Sequence, residues 1–307
     1  MNKRILLTSL VLVFVLATGL AMWAGAEDRA PVAENLEVQT YRGVSVGGNL
    51  TARDPDGDPL SFEITTPPTK GTVDLGEDGH FVYTPEAGRR GKDYFGYQAI
   101  DQAGNRSQEA TVIIQIQKPK SRVTYADTAG EPYAYAAQRL AEEGVYVGAC
   151  LGGSYVFDPS ETVTREEFVA LCMLLTDQDA APALRGPGFR DDAAISTWAR
   201  GYVSAALSSG VIAGSPEPDS LRPVFRPKEP ITMAEAALIL DRVMELTDAV
   251  MAWVELEDAV PAWARQSAVN LSACGLLPEG CSFADETLQR GDAAVMLVRA
   301  MDLLSRR

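Results

Sequence analysis

One helix-opening signature occurs three times, and its recurrence restricts the C-terminal part of the chain to a repeat architecture. In Thr162-Val163-Thr164-Arg165-Glu166-Glu167-Phe168, Thr164 stands where an N-cap hydroxyl is wanted. Glu167 follows three residues later, the capping-box spacing, in which each side chain satisfies a backbone N–H of the other's residue. Phe168, Leu171, Cys172 and Leu175 then form one apolar helical stripe at i, i+3, i+4, i+7. Thr232 and Glu235 open a second helix with the stripe Ala236, Ile239, Leu240, Val243, and Gln289 opens a third with Ala293, Met296, Leu297, Ala300. Glutamine is the weaker cap.

Arg165 and Arg290 occupy the first turns of the first and third of these helices, where a cation opposes the helix dipole. Helix stability therefore does not account for them. Each signature closes a longer unit. Tyr125-Ala126-Asp127, Phe189-Arg190-Asp191 and Leu256-Glu257-Asp258 open the units, followed by helices with an aromatic residue near the start (Tyr133, Trp198, Trp263). Glycines at 144, 210 and 275, spaced 66 and 65 residues apart, read as C′ residues ending those helices. Phe157-Asp158-Pro159 and Phe225-Arg226-Pro227 mark the loops that follow. A fixed period of this kind means one supersecondary unit packed on copies of itself.

The first third has a different rhythm. Leu60 to Ile64 alternates with period 2, Gly71 to Leu75 and Phe81 to Tyr83 flank a turn at Asp78-Gly79, and Thr111 to Ile116 supplies another strand. Short strands punctuated by glycine and proline turns predict an all-β sandwich of immunoglobulin type over 27–117. Lys118 to Arg122 reads as a linker. Within the sandwich, Asp54-Pro55-Asp56-Gly57-Asp58 places three carboxylates at alternate positions, a set suited to Ca²⁺, with Asp101 as a fourth ligand. The competing reading is that these are turn-forming residues only.

Ahead of the sandwich, Lys3 and Arg4 precede an apolar run from Ile5 to Leu20, and Ala24-Gly25-Ala26 gives a cleavage pattern. Residues 1–26 read as a secretory signal peptide, with an uncleaved membrane anchor as the alternative. No later segment approaches the ~18 apolar residues of a membrane span, so the mature chain is expected to be soluble and outside the cell membrane. Its formal charge of −15 becomes −17 once Lys3 and Arg4 are removed. That sign argues against nucleic acid, and it requires any anionic ligand to be held by local cations. An exported chain permits disulfides, with Cys150–Cys172 and Cys274–Cys281 as the local pairs, against a reading of all four as buried or free thiols.

The ordered motifs of the N-terminal part, from Asp54-Pro55-Asp56-Gly57-Asp58 through Pro67-Pro68-Thr69-Lys70-Gly71-Thr72-Val73, Gly79 to Pro85, Asp93 to Tyr97 and Asp101 to Asn105, resemble bacterial cadherin-like or immunoglobulin-like repeats of surface proteins. The resemblance implies a spacer, adhesion or interaction module, in some cases binding Ca²⁺. The C-terminal pattern is clearest in Phe189-Arg190-Asp191, Trp198-Ala199, Gly210-Val211-Ile212-Ala213-Gly214, Phe225-Arg226-Pro227 and Ile231-Thr232-Met233-Ala234-Glu235. It resembles the S-layer homology (SLH) domain in three copies, over 123–180, 186–246 and 254–304.

That second resemblance implies an all-α domain of three helical prongs around a pseudo-threefold axis. It further implies attachment to a secondary cell-wall polymer, often pyruvylated, or to a peptidoglycan-linked glycan. The family's arginine carries over onto Arg165 and Arg290, and a guanidinium suits a carboxylate such as a pyruvyl ketal. Met233 replaces it in the second unit. Trp198 and Trp263 either stack on sugar or, the reading the pattern favours, fill the prong core. Asp127, Asp191 and Asp258 either bind sugar hydroxyls or cap the following segment. Catalysis is not expected: His80 is the sole histidine, in a hairpin turn with no nucleophile nearby, and neither a phosphate loop nor a zinc motif occurs. A two-carboxylate glycosidase pair is spatial and is left open by sequence. The other functional class left standing is a Ca²⁺-dependent adhesion or envelope-assembly protein in which the sandwich is the working part.

Overall fold

A computed structural model describes residues 28–176, 188–250, 259–278, 280–284 and 287–306. The signal-peptide reading of residues 1–26 and the assignment of Asp258 lie outside these. Among the described residues no helix is long and apolar enough to cross a membrane.

The N-terminal part forms two facing antiparallel layers. Strands β1 (Val32–Ala33), β2 (Leu36–Tyr41), β3 (Val46–Asn49), β4 (Ala52–Arg53), β5 (Ser61–Thr66), β6 (Gly71–Leu75), β7 (His80–Pro85), β8 (Gly91–Ile100) and β9 (Ala110–Gln117) follow in order. One sheet runs β2-β9-β8-β5, the other β3-β7-β6, and β1 pairs with β4. Alternation fills the space between the layers: β9 buries Ala110, Val112, Ile114 and Ile116 and turns the residues between them outward. Phe81 and Phe95 meet edge to face at 5.2 Å, both without solvent exposure. A side chain at Gly48 would place its Cβ 2.8 Å from the Phe81 ring, so only glycine lets β3 pass there. The Tyr97 hydroxyl lies 2.6 Å from the carbonyl of Glu34 and 2.7 Å from that of Thr51, tying the entry of the domain to its centre.

The remainder is helical. Helices α1 (Ala134–Glu142), α2 (Arg165–Leu175), α3 (Arg200–Ser208), α4 (Met233–Met244), α5 (Arg265–Ala273) and α6 (Arg290–Leu304) alternate short and long. Hairpins β10 (Ala149–Leu151) with β11 (Ser154–Val156), and β12 (Ser215–Glu217) with β13 (Ser220–Val224), interrupt the first two units. The capping boxes are present at Thr164/Glu167 and Thr232/Glu235, whereas Gln289 makes no side-chain cap.

Packing does not follow the sequence repeat. Helix α2 packs on α3 of the next unit, α4 on α5, and α6 returns to α1, while α2 also touches α4 and α6. Each helical pair therefore joins two units, and the last element closes on the first. At the centre, the residue before each N-cap donates to its neighbour's carbonyl in a closed circuit. Val163 N–H reaches Leu288 O at 3.0 Å, Leu288 N–H reaches Ile231 O at 2.8 Å, and Ile231 N–H reaches Val163 O at 2.9 Å. All three side chains are buried in one continuous core with Phe157, Phe168, Phe189 and Phe225.

The stretch read as a linker is fastened at its C-terminal end. The backbone N–H groups of Lys120 and Ser121 donate to the Glu142 carboxylate at 2.6 and 3.0 Å, and Gln138 donates to Val123 O at 3.3 Å. Neither local disulfide is formed: Cys150 and Cys274 are exposed free thiols and Cys172 is buried, where desolvation raises its thiol pKa and keeps it protonated.

Candidate functional site

The polar chemistry of the helical part gathers where one unit's long helix begins against the next unit's Phe-x-Pro loop. That loop is built by an aspartate. Asp127 accepts from the amides of Phe157 at 3.0 Å and Asp158 at 2.6 Å, and Asp191 accepts from those of Phe225 at 2.9 Å and Arg226 at 2.7 Å. The turn residues Asp158 and Arg226 have φ of +59° and +58°, a left-handed conformation costing about 1–2 kcal/mol per non-glycine residue. Two charge-assisted bonds offset that cost. Asp127 and Asp191 thus act as pins of a distant loop, and Asp191 makes no side-chain cap on the segment that follows it, the role the sequence offered as the alternative to sugar binding.

The turns present the Phe157 and Phe225 carbonyls to an arginine from another unit. Arg165 donates from Nε to Phe225 O at 2.9 Å, pairs through Nη1 with Glu235 at 2.6 Å, and lies 5.6 Å from the Phe225 ring centroid. Its side chain is 12% exposed. Arg290 donates from Nη1 to Phe157 O at 2.8 Å and Asp158 O at 3.0 Å, and sits 5.6 Å from the Tyr146 ring centroid. No carboxylate among the described residues lies within ion-pair distance of it. At the remaining junction Met233 is buried, as is Phe283 of the third unit.

The next position along each long helix also differs. Glu166, 2% exposed, accepts from Ser196 N–H at 3.0 Å and pairs with Lys228, so a second ion pair crosses the first junction. Gly291 occupies the same place at the third unit's junction with the first. A Cβ there would stand 3.2 Å from the Tyr133 ring. Tyr133 immediately precedes α1, as the fully buried Ala199 and Ala264 precede α3 and α5, so a bulky residue on one side is matched by a missing side chain on the other.

Trp198 and Trp263 stand one position earlier and are 54% and 56% exposed, which overturns the core-filling reading. The cations near the start of the second unit's long helix, where Met233 stands in place of an arginine, are occupied. Arg222 bonds Gly188 O at 2.9 Å and Asp192 at 3.2 Å, and Lys228 holds Glu166. Beside Arg290 lies a small indentation lined by Leu140, Tyr146, Phe157, Glu167 and Leu297. Tyr146 was not singled out from sequence, since it belongs to no repeated motif, and Glu167 was read only as the partner of the Thr164 cap.

In the sandwich, Asp54 Oδ1 accepts from the amides of Asp56 at 2.8 Å and Asp58 at 3.2 Å, while Oδ2 is buried without a hydrogen-bond partner. Asp56 is paired with Arg29 at 2.7 Å, whose hydrogen bonds hold its carboxyl below the usual range. Asp101 binds the side chain of Asn105 at 2.9 Å, and that amide also bonds Asp28 at 3.0 Å. Burial, and then the charges of Asp101, Asp58, Asp56 and Asp54, raise the Asp28 carboxyl. The charges of all four expected carboxylates thus reach Asp28. No group of three His, Cys, Asp or Glu side chains among the described residues is drawn tightly enough to hold an ion as placed.

Comparison with known proteins agrees with this division. Residues 28–118 match the model of the bacterial cadherin-like domain, and residues 188–237 that of the S-layer homology domain. An amylopullulanase of Thermoanaerobacterium thermosulfurigenes is 33% identical over 120 residues, 38% of this chain and 6% of its own length. The exoglucanase XynX of Acetivibrio thermocellus is 32% identical over 120 residues, 38% of this chain and 10% of its own. A surface-layer 125 kDa protein of Lysinibacillus sphaericus is 27% identical over 152 residues, 47% of this chain. The chain spans no more than 12% of the length of these relatives. The chain therefore carries a bacterial cadherin-like domain followed by an S-layer homology domain.

Proposed function

We propose that the helical part is a set of three S-layer homology repeats forming three prongs, and that it anchors an exported protein non-covalently to a bacterial cell wall. The ligand is an anionic secondary cell-wall polymer, and the sandwich is a spacer that carries contacts beyond the wall. The observation that carries this reading is the placement of an arginine from one unit against a pinned loop of another, in a helical part whose middle unit, residues 188–237, matches the S-layer homology domain. A guanidinium on an aromatic face is suited to a sugar acid in a chain whose net charge repels anions. The mature protein is expected to pellet with native sacculi and to be released when the anionic polymer is stripped. Pelleting that survives stripping would remove the polymer from the account.

A second reading concerns the sandwich, as a Ca²⁺-dependent adhesion or assembly module. The buried, unsatisfied Asp54 Oδ2 and the charge crowding on Asp28 favour it. Asp54, Asp56, Asp58 and Asp101 are the proposed ligands, with Asp28 beside them. Millimolar Ca²⁺ is expected to raise the melting temperature of the full chain, and Asp54→Asn to abolish the rise. An unchanged melting temperature in the wild type argues for a turn and nothing more.

A further inference from the structure

The outer face of the larger sheet carries side chains that neither the repeat units nor the acidic loops use. Strands β8 and β9 are its two inner strands, in the order β2-β9-β8-β5. Phe95 and Tyr97 point into the sandwich and are fully buried, so Lys92, Tyr94 and Gly96 lie on the outward side of β8. Tyr94 is 48% exposed there, away from either edge of the sheet. Beside it, Glu109 lies flat across Gly96. A Cβ at that glycine would stand 2.7 Å from the carboxylate carbon and 2.9 Å from both oxygens. Glu109 Oε2 accepts from the hydroxyls of Thr65 at 2.5 Å and Thr66 at 3.1 Å, while Oε1 has no hydrogen-bond partner among the described residues. Holding a long surface side chain in one rotamer costs entropy, and this one is held with an acceptor oxygen unspent.

We infer that this row is a binding platform for an uncharged glycan, with Glu109, Tyr94 and Lys92 as its contacts. Outward side chains two residues apart on a strand stand about 7 Å from each other. The row along β8 therefore presents a fixed acceptor, an aromatic ring and an ammonium donor in sequence, a length suited to two linked sugar rings. A pyranose lays its C–H face on an aromatic ring and carries its hydroxyls at the rim, where an acceptor on one side and a donor on the other can meet them. The row has no net charge: Glu109 repels a polyanion and Lys92 repels a cation. One tyrosine on a flat face, with the part-buried Ile113 and Gln115 of β9 on the same side, is too little apolar surface for the core of a protein interface. A β-1,4-linked chain of equatorial sugars fits best, because no axial hydroxyl keeps its rings off the tyrosine. Gly96 is the positioning residue, since its missing side chain lets Glu109 lie down. The site is built wholly from the sandwich, and the wall-binding reading neither supports it nor needs it.

The test titrates the full chain with cellohexaose and chitohexaose, and with hexagalacturonate as the charged control. At least one of the two uncharged hexaoses is expected to bind, at one per chain, and the galacturonate not to bind. Tyr94→Ala should weaken binding about tenfold or more at an unchanged melting temperature, since the ring faces solvent. Glu109→Gln keeps the size of the side chain and removes its charge, and should weaken binding about threefold or more. Failure of both uncharged hexaoses to bind the unmodified chain would overturn the inference. So would binding that Tyr94→Ala leaves unchanged, or galacturonate bound as well as the others. The first of these is read on the unmodified chain, so it decides the matter whatever the variants do.

Discussion

At the scale of single residues, Asp127 and Asp191 act one step away from any ligand. Each turns two loop amides inward and so aims a carbonyl at an arginine of another unit. Asp191→Ala leaves the amides of Phe225 and Arg226 unpaired, and the left-handed Arg226 unsupported. The expected loss is about 1–3 kcal/mol in urea unfolding. A change under a few tenths would mean that water replaces the carboxylate and that the pin is dispensable. Sequence alone offered a sugar contact or a cap on the following segment, because it does not show which distant loop folds back onto a carboxylate. The tryptophans show a sharper limit. Trp198 falls at helical spacing with Ala199, Tyr202, Val203, Ala206 and Leu207, of which Ala199, Val203 and Ala206 are buried. It precedes the first residue of α3, so helical period does not govern its direction, and its indole faces solvent.

At the scale of elements, period and caps were legible and partners were not. A 3.6-residue stripe says that a helix has an apolar face, and nothing about which helix covers it. The units repeat in sequence, yet the packed pairs straddle them, α2 with α3 and α4 with α5. The tie between Lys120-Ser121 and α1 was equally hidden, since basic residues and a proline suggested a loose connection. Its strength depends on pH. Burial acts to raise the Glu142 carboxyl, but hydrogen bonds from Ser121, Gln138 and Lys120 outweigh it and lower the pKa. A carboxyl depressed in the folded state stabilises fully above its ordinary value near 4.3 and loses that contribution as pH falls through the lowered value. Amide exchange at Lys120 and Ser121, corrected for intrinsic rate, should be slow at neutral pH and accelerate below about pH 4. Glu142→Gln should show the faster exchange at both. Protection that is indifferent to pH and to the substitution would assign the tether to other contacts.

At the scale of the molecule, the division into a sandwich and a helical repeat region was readable from the change of hydrophobic period alone. Closure was not. The return of α6 to α1 means that the unit matched to the S-layer homology domain, residues 188–237, is not a structural piece on its own, because both of its helices lie on neighbours. It also explains how the repeats tolerate Met233, Gln289 and Gly291. The three-way circuit of Val163, Ile231 and Leu288 is made by peptide groups, which every residue except proline supplies in full. Side chains around that hub are consequently free to diverge, one junction resting an arginine on loop carbonyls, another becoming a double ionic seam and the third going apolar, while the hub itself goes on reading the same three amides.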